Sequence, residues 1–101
     1  MNDSLTAHAA RLQELIDASP ITRGLRANVA RGAIDLVREE RRFDGEPTLY
    51  RCGRITPLGS DTFGLFIVRH NGRLEKVPFS GTVDTLHAVI EGPLAHIFEG
   101  F

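Results

Sequence analysis

Residues 19–43 read SPITRGLRANVARGAIDLVREERRF. This stretch decides the fold, because apolar residues recur through it at regular steps and six arginines are gathered in it. Ile21, Leu25, Val29, Gly32, Leu36 and Phe43 follow one another at steps of four, four, three, four and seven. That spacing matches one face of an amphipathic helix. Ser19 reads as an N-cap and Pro20 as a first helical residue, so a helix is predicted over residues 20–42. On a wheel of 100° per residue, Arg23 and Arg41 share one direction. Arg31, Arg38 and Arg42 lie within about 100° on one side, Arg26 about 60° on the other, and the apolar stripe is opposite.

Such a face has three readings: solvated exterior, protein interface, or polyanion grip. Asp35 and Glu39 flank it and can pair with Arg31, Arg38 and Arg42 at helical spacing, which dilutes the positive field. Ala27, Ala30 and Ile34 share the arginine side. Small residues beside arginine would let another protein surface approach.

Upstream, Leu5, Ala9, Leu12, Leu15 and Ile16 keep helical spacing, and Ser4 or Asp3 can cap that segment. The short link at 19–20 predicts two antiparallel helices. Downstream the period becomes extended. Residues 48–55, 62–70 and 73–79 read as strands, the middle one rich in aromatic and branched residues. Asn71-Gly72 predicts a two-residue type I′ hairpin, which would set His70 against Arg73, Val68 against Glu75 and Phe66 against Val77. Pro78 gives no N–H and marks the last strand as an edge. Thr82 can cap a final helix carrying Val83, Leu86 and Ile90, interrupted at Gly92-Pro93.

The expected fold class is therefore α+β in two layers, of order α-α-β-β-β-α. A helical hairpin (1–43) precedes a three-stranded antiparallel β-meander (48–79) and a broken C-terminal helix (82–99), in a single domain of 101 residues.

Composition narrows function more than it names it. Net charge is −1, so nothing pulls the whole chain toward nucleic acid or anionic lipid. Eleven of the twelve basic residues are arginine. No apolar run approaches the roughly 20 residues of a membrane span. With no basic-then-apolar leader in the first residues and a lone cysteine, Cys52, the expected compartment is the cytoplasm.

The sequence supplies no reaction. His8, His70, His87 and His96 lack the i, i+4 partner of a helical metal site, and one cysteine cannot complete a zinc finger. Neither a metal nor a cofactor is expected. No nucleophile elbow or phosphate loop is present. Cys52, between Arg51 and Arg54, and His70 are the residues an enzyme would have to use, but no base or oxyanion donor accompanies them. No catalytic residue is assigned.

The preferred reading is a small non-enzymatic interaction module, an adaptor, assembly factor or inhibitor that binds protein and pairs with itself as a homodimer. Ala27, Ala30, Ile34, Phe98 and Phe101 are its candidate interface, since two phenylalanines near the end must fold back or meet a partner. The alternative is a nucleic-acid-binding regulator using Arg23, Arg26, Arg31, Arg38 and Arg41 with the hairpin tip Arg69, His70 and Arg73.

Overall fold

The computed structural model describes residues 3–41, 44–69 and 71–98. Its elements are α1 (Asp3–Ala18), β1 (Leu25–Ala30), β2 (Ala33–Arg41), β3 (Pro47–Pro57), β4 (Phe63–Val68), β5 (Leu74–Gly81), α2 (Val83–Glu91) and α3 (Ala95–Phe98). The strands form one antiparallel sheet in the order β1-β2-β3-β4-β5. The class is α+β, but the expected helical hairpin and three-stranded meander are overturned: one helix precedes five strands.

The second helix is absent because its periodicity was ambiguous. A step of four residues returns to the same face of a helix, and it also returns to the same face of a strand. Leu25 and Val29 satisfy both. Where that helix was expected to begin there is only one hydrogen-bonded turn, in which Ser19 C=O accepts from Arg23 N–H at 2.9 Å. Gly24, at φ +107°, then turns the chain into β1. Arg31 and Gly32 both have positive φ, 52° and 75°, and Ala30 faces Ala33 across them. This is a two-residue type I′ hairpin. Gly24 and Gly32 would each cost a helix interior about 1 kcal/mol, whereas here both serve turns.

The second hairpin closes one residue away from the expected register. Arg69 N–H donates to Arg73 C=O and Gly72 N–H to Arg69 C=O, both at 2.8 Å. The strands therefore close on Arg69 and Arg73, with Gly72 at φ +84° in the turn between them, as in a hairpin with a glycine bulge. Phe66 faces Lys76 and Val68 faces Leu74. Further along, β5 sets residues 77–79 against one residue of β4. Pro78 lies inside this bulge on an edge strand, where no ladder N–H is missed.

Cross-strand partners share a face. Leu25, Ile34, Leu36, Ile55, Leu65 and Ile67 fall on one face and are buried. Against them pack Leu5, Ala9, Leu12 and Ile16 of α1, Val83, Leu86 and Ile90 of α2, and Phe98 of α3. Thr82 caps α2 by accepting from Thr85 N–H at 3.2 Å. All helices of the described residues thus serve one side of the sheet, and the other side carries none.

Candidate functional site

The helix-free side is organised in rows that run across the strands. One row crosses the whole sheet: Asn28, Asp35, Arg54, Phe66 and Lys76 are successive partners from β1 to β5. At its centre Arg54 Nε donates to Asp35 Oδ1 at 2.9 Å. Their side chains are only 19% and 15% exposed, although no helix covers them. Their sheet neighbours provide this shielding. Val37, Phe66 and Val68 are half-buried around the pair, and Leu74 is exposed at 38%. Arg26 and Arg51, partners of Val37, are exposed with Lys76 at the rim. None of these three has an ion-pair partner among the described residues.

This surface continues onto an arm. Residues 39–41 of β2 have no β1 partner, and residues 47–51 of β3 have none on β4. Residues 39–41 and 47–49 pair only with each other, so a two-stranded ribbon projects past the sheet, with Tyr50 and Arg51 at its root opposite Arg38 and Val37, which β1 also pairs. A bulge at Cys52, where Leu36 faces Gly53 and Val37 faces Arg51, adds local twist at the ribbon's root. Leu49 on the ribbon is 64% exposed and Tyr50 at its root is 50% exposed, on opposite faces. A ribbon of two strands is marginal alone, and both of its faces carry apolar area.

The predicted site residues are scattered by this geometry. Arg23 is exposed in the turn before β1, Arg26 on the open face, Arg31 at the first hairpin tip. Arg38 points the other way: half-buried, it donates from Nη2 to the Phe98 carbonyl. Arg41 ends β2. Arg69 and Arg73 are exposed at the second hairpin, where Arg69 pairs with Glu75 at 2.8 Å. His70 and Phe101 lie outside the described residues. Because no helix forms here, Arg26 and Arg38 fall on opposite sides of the sheet and Arg23 and Arg31 lie in turns, so these four do not share the helix face expected of them. Of the interface set, Ile34 and Phe98 are fully buried in the core and Ala27 and Ala30 are half-buried in β1. Phe98 has folded back onto Gly53 rather than facing outward.

Chemistry is sparse. Cys52 is half-buried at the bulge, its Sγ 3.7 Å from the Tyr50 carbonyl. His8 packs edge-on to Phe63 and lies 3.5 Å from Asp61. One polar cluster was not anticipated: Thr22, His87, Glu91 and Ser19 meet where the turn after α1 crosses α2. Thr22 Oγ1 donates to Ile16 C=O at 3.1 Å and lies 2.9 Å from His87 Nε2. A hydroxyl has one hydrogen: with it on Ile16 C=O, Thr22 accepts from Nε2–H and Nδ1 carries the lone pair, and with it on Nε2 the tautomer is reversed. Nδ1 is 3.8 Å from Glu91 Oε1, and Ser19 donates to Glu91 Oε2 at 2.8 Å. Burial pushes the His87 pKa below its ordinary value, against the opposing pull of Glu91 and Asp84. The Thr-His-Glu order resembles a hydrolytic triad, but Thr22 is wholly buried. A hydroxyl with no exposed surface cannot reach a substrate, so no nucleophile is presented. The i, i+4 spacing of His87 and Glu91 is visible in the sequence, whereas the helical metal-site pattern that is lacking pairs two histidines.

No family model, curated protein or solved structure matches this chain. Among the described residues, no helix is long and apolar enough to cross a membrane.

Proposed function

We propose that this chain is a non-enzymatic protein-interaction module whose binding surface is the helix-free side of the sheet with its β2–β3 arm. The observation that carries this reading is the unbacked sheet face itself, where branched and aromatic side chains surround a shielded Asp35–Arg54 pair. Covering such a face gains about 25 cal/mol per Å² of apolar area, and open apolar patches rimmed by polar residues mark interaction sites.

Charge selects among occupants. Arg26, Arg51 and Lys76 stand at the rim against one further acid on the same side, Glu39. Two copies face to face would oppose like charges, so a homodimer through this face is disfavoured. A different protein with an apolar centre and an acidic rim fits. Nucleic acid fits less well. Stacking platforms need exposed aromatics, and here Phe66 is half-buried between Arg54 and Lys76.

The test is a photo-crosslinking residue at Val68, with the same residue at Ala10 on the exposed side of α1 as control. A discrete protein adduct at Val68 and none at Ala10 is expected. Nucleic-acid adducts at Val68, or no adduct there, would remove the reading. Light scattering separates a self-adduct from a foreign one.

A further inference from the structure

We propose that His87 and Glu91 form a two-donor chelate for a divalent transition-metal ion, in the cleft between α2 and the Ser19-Pro20 turn. This inference is independent of the sheet face, which lies on the other side of the molecule.

The geometry comes from the helix. Residues i and i+4 stack on one side, and His87 Nδ1 lies 3.8 Å from Glu91 Oε1. Two atoms at that separation can each sit about 2.0–2.2 Å from a common ion, the bond lengths of imidazole and carboxylate ligands. With Nε2–H on Thr22, one of the two tautomers that contact allows, Nδ1 turns its lone pair toward a carboxylate and two Lewis bases face each other. A cation between them turns that opposition into attraction.

Both donors are also held from behind. In that tautomer Thr22 Oγ1 takes the Nε2–H of His87 and is itself tied to Ile16 C=O. Ser19 Oγ holds the second oxygen of Glu91. Such outer partners fix ring tautomer and carboxylate orientation in metal sites. A cleft of ≈ 270 Å³ lined by Leu15, Ala18, Ser19, Pro20, His87 and Glu91 reaches both donors. Glu91 is 39% exposed and forms its rim. Two protein donors leave further positions to water, and a nitrogen–oxygen set suits zinc, cobalt or nickel better than calcium or magnesium. No group of three His, Cys, Asp or Glu residues converges among the described residues, so the expected site is bidentate and of modest affinity.

Tag-free protein titrated with cobalt(II), followed by its visible spectrum, and with zinc(II), followed by thermal unfolding, tests the inference. A saturable cobalt band and a midpoint that climbs with zinc concentration are expected. Glu91→Gln should weaken both by at least about 10-fold, and Ser19→Ala, which keeps both donors, by about 10-fold. Glu91 is at the rim, so its variant carries the test even where His87→Gln does not fold. Absence of saturable binding below about 1 mM overturns the inference. Binding that is unchanged in Glu91→Gln overturns it too, by assigning the metal to another histidine.

Discussion

The side-chain amide of Gln13 hydrogen-bonds the outer edge of β1 as a neighbouring strand would: its Oε1 accepts from Ala27 N–H at 2.8 Å. Its Nε2 donates to Leu25 C=O at 3.1 Å. β1 is an edge strand, and its outward groups are a template for another chain. One helical side chain occupies part of that template. Each bond contributes about 0.5–1.5 kcal/mol net. Gln13→Ala should therefore lower stability by about 1–2 kcal/mol in urea unfolding and promote association through β1 in sedimentation velocity. A variant as stable and as monodisperse as the parent would show that the amide guards nothing.

The sequence showed α1, the capped α2 and its break at Gly92-Pro93, and the proline-marked edge strand, because each rests on a local signal that only one structure satisfies. It failed between residues 20 and 42, where steps of four fit two periods at once. The distinguishing evidence lay across the hairpin, in pairs such as Leu36 with Ala27 and Ile34 with Val29, which a one-dimensional pattern does not contain. The open face was hidden for the same reason. Arg54 and Asp35 are 19 residues apart, and their meeting depends on two strands, one of which had been read as helix.

The turn that was missed also holds a correctable weakness. Type I′ turns favour Asn-Gly, and the protein uses Arg31-Gly32 with Arg31 at φ 52°. Left-handed backbone costs a residue with an ordinary Cβ about 1–2 kcal/mol, and asparagine less. Arg31 is exposed, so little packing is lost on replacement. Arg31→Asn should stabilise the fold by about 0.5–1 kcal/mol, read as a higher urea midpoint at unchanged slope. A lower midpoint would mean that the guanidinium makes a contribution larger than the backbone strain it brings.

Acid should loosen the tie between α1 and α2. Arg11 Nη2 donates to Asp84 Oδ2 at 2.8 Å, and that hydrogen bond is the main reason the Asp84 carboxyl titrates below its ordinary 3.8. A carboxyl with a depressed folded pKa binds fewer protons folded than unfolded. Its contribution is therefore complete above the unfolded value and disappears as pH falls through the folded one. Both groups are exposed, so the effect is small and screened by salt. Unfolding midpoints measured from pH 5 down to pH 2 at low salt should fall less steeply in Asp84→Asn than in the parent. Parallel profiles would place the acid sensitivity in other carboxyls.

The tightest constraint on the core is Gly53. A Cβ there would lie 2.7 Å from the Phe66 carbonyl oxygen and 3.0 Å from two ring carbons of Phe98. Phe98 is fully buried, and its ring occupies the space that the missing side chain leaves on the inner face of β3. The carbonyl belongs to the neighbouring strand, so relief requires β3 and β4 to part or α3 to lift. Alanine would gain about 0.4–1 kcal/mol from a less flexible unfolded chain, but overpacking of this kind costs about 1–3 kcal/mol. Net destabilisation of about 1–2 kcal/mol is expected for Gly53→Ala. The double variant with Phe98→Leu separates the two causes. It should recover part of the Gly53→Ala loss if the ring is the obstacle, and none if the Phe66 carbonyl is. A Gly53→Ala protein as stable as the parent would show that α3 does not pack against this strand.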